Sequence, residues 1–189
     1  MSDVGRPKAW TRAHSRELAR TPVFSLSAHA SVHPDRPGAT HDFYVLDAPA
    51  WVNVVPIADD GRIVMVRQFR HGIGQVTLEI PGGMVDAQDP GPREAAWREL
   101  IEETGYDAGR IEPVGEISPN PAIQSNRCHS FVATELVLRG PPANDGTEET
   151  EVVLVPLRQI PPMIRSGEIC HALVVVAFCH LLGLAEGPA

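Results

Sequence analysis

Arg98-Glu99-Leu100-Ile101-Glu102-Glu103-Thr104-Gly105-Tyr106, with Gly82-Gly83 a short loop upstream, constrains this chain more than any other segment. Glu99, Glu102 and Glu103 stand three and four residues apart, a spacing that stacks side chains on one side of a helix. Carboxylates crowded in this way repel one another, and a divalent cation held by oxygen ligands removes the repulsion. Arg98, four residues before Glu102, is placed to pair with it and to orient the carboxylates. The bland alternative is a solvated acidic helix face. Against it stand the Gly-Gly turn, which lets backbone approach a ligand, and an arginine where scattered lysines would suffice.

The surrounding pattern predicts strands over Val23–Ala28, Asp42–Leu46, Trp51–Ile57, Arg62–Phe69 and Gln75–Ile80. Turn residues divide them, among them Asp60-Gly61. Asp89-Pro90 has the form of an N-cap followed by a first-turn proline. Ala96, Leu100 and Thr104 form the core-facing stripe of the helix, the glutamates lie mostly on its other side, and Gly105 ends it. Further strands are expected over Ile111–Ile117, Arg127–Leu138 and Val152–Leu157. A short helix then runs from Pro161 towards Gly167, and a last, mostly buried one covers Cys170–Leu184. Residues 1–20, with Arg6, Lys8, Arg12, Arg16 and Arg20, read as a polar arm. Strands mixed with helices give an α/β (α+β) chain, a mixed sheet with helices packed on it.

With 189 residues, 43% hydrophobic and 21% charged, the chain is long enough for one domain with a real core and a small N-terminal extension. A net charge of −8 disfavours nucleic acid and leaves a polyanionic substrate dependent on local cations. Cys128, Cys170 and Cys179 fit neither a complete disulfide set nor a zinc motif, and are expected to be reduced thiols. His129, His171 and His180 form no coherent ligand set and read as packing or surface residues. Ala172–Leu184 is too short to span a bilayer, so no membrane role is expected and a cytoplasmic location is.

The glutamate segment resembles the Nudix box. From Arg98 to Gly105 it matches the pattern of that family in full, with Tyr106 at an aliphatic place. The loop half departs from it: Asp89 stands where the pattern has glutamate, and eight residues rather than seven separate it from Arg98. Arg67-Gln68-Phe69-Arg70 and Leu78-Glu79-Ile80-Pro81-Gly82-Gly83 resemble the ADP-ribose pyrophosphatase branch. The resemblance implies a Nudix fold, a mixed sheet sandwiched between helices, over residues 49–189, with residues 1–48 a dimer-forming N-terminal β extension. It also implies hydrolysis of the pyrophosphate bond of ADP-ribose or a related nucleoside diphosphate sugar, with two or more Mg²⁺ or Mn²⁺ ions. The ligands it implies are Glu99, Glu103 and the Gly82 carbonyl, with Glu102 close by. Arg70 matches a substrate-contacting arginine, and Glu79 either touches substrate or orients Arg70. Glu148 or Glu149, on a late acidic loop that also holds Glu151, activates water. Asp86 is placed to bind metal through water, and Trp51, Phe43 or Tyr44 to stack on a base, the alternative being that these aromatic residues belong to the core. Two rivals remain: a nucleoside triphosphate sanitiser, to which the N-terminal strands are foreign, and a non-catalytic regulator, which often loses box carboxylates.

Overall fold

The computed structural model describes residues 6–144 and 149–183. The chain divides into two units. One holds the residues up to Pro49 together with Ser118–Asn126, and the other runs over Ala50–Ile117 and from Arg127 onward.

The first unit is an antiparallel meander of β1 (Thr11–Arg20), β2 (Ser25–Val32) and β3 (Thr40–Asp47), with β2 in the middle. Residues of small volume dominate β2, and Ser27 to Ser31 are buried beneath their neighbours. Between β1 and β2, Thr21 closes the turn: its hydroxyl donates to the Phe24 carbonyl at 2.8 Å and accepts from the Phe24 amide at 3.0 Å. Leu46 of β3 exchanges backbone hydrogen bonds with Ile123 and Ser125. Strand β1 corrects the expectation of an irregular arm. All ten of its residues are exposed, so no apolar alternation betrays it. It exists because β2 offers its backbone ladder, and bulges between Arg12 and His14 and between Glu17 and Ala19 blur what pattern there is.

The second unit contains two sheets. In one, β4 (Trp51–Pro56) lies between β7 (Gly82–Met84) and β9 (Cys128–Leu138), and β8 (Tyr106–Ile117) pairs with the far side of β9. The β4–β9 pair is parallel and the others antiparallel. The other sheet is antiparallel, with β5 (Arg62–Arg70) between β10 (Thr150–Pro156) and β6 (Gln75–Glu79). Helices α1 (Pro92–Thr104), α2 (Ile160–Ser166) and α3 (Ala172–Leu182) complete it.

Strand β4 is apolar on both faces because both are covered. Val52 and Val54 pack with Ala95, Ala96 and Leu100 of α1 and with Ile111 and Phe131. Val55, on the opposite face, packs with Ile63 and Met65 of β5 and with Ile160, Val174 and Phe178 of α2 and α3. The result is the expected α+β arrangement, a mixed sheet with helices on both faces plus an N-terminal β extension. Asp60-Gly61 makes the predicted turn, with Gly61 at φ +77°.

Candidate active site

Helix α1 begins later than the sequence suggests. Its N-cap is Gly91 and its first-turn proline is Pro92, so Asp89-Pro90 is not the cap. Asp89 instead turns back to Arg98. Arg98 Nε donates to Asp89 Oδ1 at 3.2 Å and Nη2 to Oδ2 at 3.0 Å. Asp89 Oδ2 also accepts the Asp86 amide at 2.8 Å. The Asp89 side chain is only 7% exposed, and Arg98 holds its carboxyl below the usual carboxylate range. Aspartate is one methylene shorter than glutamate, and the extra loop residue lets it reach the arginine.

Arg98 is the organising cation. Its Nη1 donates to Glu99 Oε1 and to Glu102 Oε2, both at 2.9 Å, and its Nη2 donates to the Met84 carbonyl at 3.0 Å. Asp86 Oδ2 lies 3.6 Å from Nη2. Asp86, Asp89, Glu99 and Glu102 therefore face one guanidinium, which stays charged throughout the accessible pH range.

Glu103 departs from the expected polar face. It is 3% exposed, on the same side as Ala96, Leu100 and Thr104, and its Oε2 accepts the Gly82 amide at 3.0 Å. The glycines are explained by closeness. A Cβ on Gly82 would lie 2.3 Å from the Val52 carbonyl oxygen, and one on Gly83 would lie 2.3 Å from Glu99 Oε1. Strand β7, paired to β4 through Asn53↔Gly82 and Val52↔Gly83, thus lies directly against the carboxylates. Gly105 ends the helix at φ +72° as predicted.

The late loop reaches the same helix end. Ala143 donates its amide to the Glu102 carbonyl at 2.7 Å, and the Thr150 hydroxyl donates to the Glu103 carbonyl at 3.0 Å. Glu149, beside Thr150, is exposed; Glu148 lies outside the described residues. Glu151 is engaged by Arg67 Nη1 at 3.0 Å.

A second cluster lies on the β5–β6 hairpin. Arg70 donates to Glu79 through Nε at 2.9 Å and Nη2 at 2.8 Å. Glu79 is 2% exposed. Burial pushes its carboxyl up, but Arg70 and the Thr77 hydroxyl outweigh that and hold it below the usual range. His171, which reads in the sequence as a packing or surface residue, has its Nδ1 4.0 Å from Glu79 Oε2. Nothing in the sequence marks this neighbour, because it comes from the start of α3, far along the chain. Trp51 is half-buried at the start of β4, and strand alternation sets it on the face away from Val52 and Val54, the residues that pack on α1.

Among the described residues no three Asp, Glu, His or Cys side chains converge as a ready-made metal cage. The donor chemistry nevertheless fits a hard divalent cation: Glu99, Glu102 and Glu103 supply oxygen only, Glu99 and Glu102 share the positive charge of Arg98, and Glu99 and Glu103 stand against the glycines of β7.

A NUDIX domain model matches residues 48–173. The chain belongs to the Nudix family. It is 33% identical to an ADP-ribose pyrophosphatase of Bacillus subtilis over 72% of this chain and 74% of that protein. It is 29% identical to a methanol dehydrogenase activator of Bacillus methanolicus, over 76% of this chain and 78% of the relative. The fold agrees with the crystal structure of an ADP compounds hydrolase, at a TM-score of 0.80, 22% identity and 93% coverage of both chains. The Nudix match contains both clusters described above, and it includes the loop around Asp89 whose spacing departs from the box.

Proposed function

We propose that this Nudix chain is a pyrophosphohydrolase that cleaves the pyrophosphate bond of ADP-ribose or a related nucleoside diphosphate sugar, giving a nucleoside monophosphate and a sugar phosphate. The observation that carries the reading is the carboxylate set Glu99, Glu102 and Glu103, of which Arg98 orders the first two and the Gly82 amide the third, with Gly83 close against Glu99. The likeness to the Bacillus subtilis ADP-ribose pyrophosphatase supports the substrate class.

Mg²⁺ or Mn²⁺, two or more ions, would be held by Glu99, Glu102, Glu103 and the Gly82 carbonyl. When bound, such ions offset phosphate charge and lower the pKa of water. The residues of the chain do the rest. Arg98 keeps Glu99 and Glu102 from splaying apart, and Glu103 is fixed by the Gly82 amide. Arg70, oriented by Glu79, offers its guanidinium to the diphosphate. Glu148 or Glu149 accepts the proton of the attacking water, a role supported by the attachment of Thr150 to the Glu103 carbonyl. Trp51 is a candidate for contact with the base. Residues 1–48 are read as the dimer-forming element of a homodimer and residues 49–189 as the hydrolase domain. The cytoplasmic reading rests on three cysteines that form no disulfide with one another. No helix among the described residues is long and apolar enough to cross a membrane.

A regulatory reading has one support, the name of the Bacillus methanolicus relative. The intact glutamates weigh against a version without catalysis. The test is a phosphatase-coupled phosphate-release panel over ADP-ribose, ADP-sugars, UDP-sugars, GDP-mannose and nucleoside triphosphates, with and without EDTA. Turnover of a diphosphate sugar that EDTA abolishes and Mg²⁺ or Mn²⁺ restores is expected. A sharp preference for triphosphates overturns the substrate class, and full activity in EDTA overturns the metal assignment.

A further inference from the structure

Glu79 is a carboxylate with almost no access to water, one hydroxyl donor in Thr77 and one charged hydrogen-bond partner, the guanidinium of Arg70. A buried ion pair tolerates the loss of one member poorly, because the other is left as an uncompensated charge. If Arg70 carries the diphosphate of the substrate, part of its field and its donors turn from Glu79 to the phosphates. Something must then answer the carboxylate.

His171 stands where that answer can come from. Its Nδ1 is 4.0 Å from Glu79 Oε2, too far for a hydrogen bond and within reach of a small side-chain rotation. Nδ1 is buried with no hydrogen-bond partner among the described residues, a costly state for a polar atom. His171 occupies the N-cap position of α3, yet its side chain makes no capping hydrogen bond, so the ring is not committed to the helix. A second orphaned atom, Gln68 Oε1, belongs to the same polar layer. Gln68 is opposite Thr77 in the β5–β6 register, and Thr77 in turn donates to Glu79.

We propose that His171 is a positioning residue of the hydrolysis: it becomes imidazolium when substrate engages Arg70, and takes over the charge of Glu79. The proton comes from solvent and resides on the ring, so that Nδ1–H points at the carboxylate while Arg70 turns to the phosphates. The proposal rests on the reading of Arg70 as a diphosphate-binding residue. The charged groups facing the ring are Glu79 from β6 and Arg70 from β5. In the free protein, burial pushes the imidazole down, Glu79 pulls it up and Arg70 pushes it down again, for a net depression. Anionic substrate on Arg70 weakens the last effect and strengthens the second, and both changes favour the imidazolium.

The test is calorimetric titration of the enzyme with a methylene-bridged, non-hydrolysable ADP-ribose analogue near pH 7, in buffers of differing ionisation enthalpy. The wild type is expected to take up close to one proton on binding. His171→Gln, which keeps a hydrogen-bond donor but cannot titrate there, is expected to take up none. Its KM should rise about tenfold, with kcat within about twofold, as befits a lost charge-assisted hydrogen bond. The KM of the wild type should worsen between about pH 6 and 8 and that of the variant stay flat, because the titration is that of a histidine. His171→Asn repeats the measurement if the glutamine variant does not fold. Equal proton uptake by wild type and variant, with Arg70→Gln binding the analogue weakly, overturns the role of His171 alone. Undiminished binding by Arg70→Gln overturns the diphosphate reading of Arg70, and this proposal with it.

Discussion

At the scale of the residue, the box works as a charge ledger with Arg98 at its centre. Asp89 holds that arginine from the loop side while Glu99 and Glu102 hold it from the helix. Asp89→Asn removes a charge-assisted, two-point contact and should cost about 1–3 kcal/mol in urea unfolding at neutral pH. The pH dependence has a definite sign. The carboxyl of Asp89 is depressed in the folded state, chiefly by its hydrogen bonds from Arg98. Its contribution is therefore fully present above the unfolded aspartate value, about pH 4, and is lost as pH falls further. The variant should show a shallower loss of stability below about pH 4 than the wild type, and parallel curves would refute the pairing. Glu103→Gln makes the complementary point. An amide oxygen can still accept the Gly82 N–H, so melting should shift little. Turnover should nevertheless fall roughly a hundredfold or more, as it does when a group that stabilises developing charge is removed. Near-wild-type activity would sink the assignment of Glu103 to the metal site.

At the scale of the element, β7 and α1 are one device, and the two glycines that join them are not equivalent. At Gly82 an added methyl meets the Val52 backbone oxygen, which cannot move without breaking the β4–β7 pairing. At Gly83 it meets the far end of the Glu99 side chain, which can. Gly82→Ala should therefore lower stability by several kcal/mol, about the size of a backbone clash in a packed site. Gly83→Ala should melt within about 1 kcal/mol of the wild type while losing most of its turnover, because it displaces a carboxylate instead of a strand. Thermal melting and kcat measured on both variants decide it; equal effects on both properties would remove the distinction. The device also shows where sequence reasoning reaches its limit. Helical spacing and the Gly105 stop made α1 legible, and the apolar runs on either side of Asp60-Gly61 made β4, β5 and the turn between them legible, because each is set by near neighbours, although the two strands go to different sheets. The burial of Glu103 was not legible. Its partner is a backbone amide 21 residues upstream, and periodicity carries no record of such a contact. Strand β1 was missed for a related reason, since its stabilisation lies in ladder hydrogen bonds to β2, to which side-chain polarity is indifferent. The closeness of His171 to Glu79 depends on where α3 begins in space, and only the assembled fold supplies that.

At the scale of the whole molecule, the N-terminal unit has too little core of its own. Trp10, Leu18, Val23, Phe24, Phe43 and Tyr44 are all at least one-third exposed, and Trp10 packs edge-on against Phe43, His33 and His41. Three strands with large apolar side chains in water are marginal as an independent structure, and an apolar surface of this kind marks an interaction face. The proposed homodimer would cover it with a second copy. Light scattering coupled to gel filtration should then give twice the mass of one chain at micromolar concentration. Phe43→Glu/Tyr44→Glu, which places two charges on the exposed strand β3, should shift the protein to the mass of one chain without unfolding the hydrolase unit, whose core is separate. Activity read on the same samples adds a second result. If the dimer helps to complete the substrate site, the monomeric variant should show a raised KM. If it serves stability alone, the variant should keep its KM and lose only melting temperature. A wild-type protein that elutes and scatters as a single chain at micromolar concentration ends the dimer proposal, and leaves the exposed aromatic residues of β3 to be accounted for by a different partner.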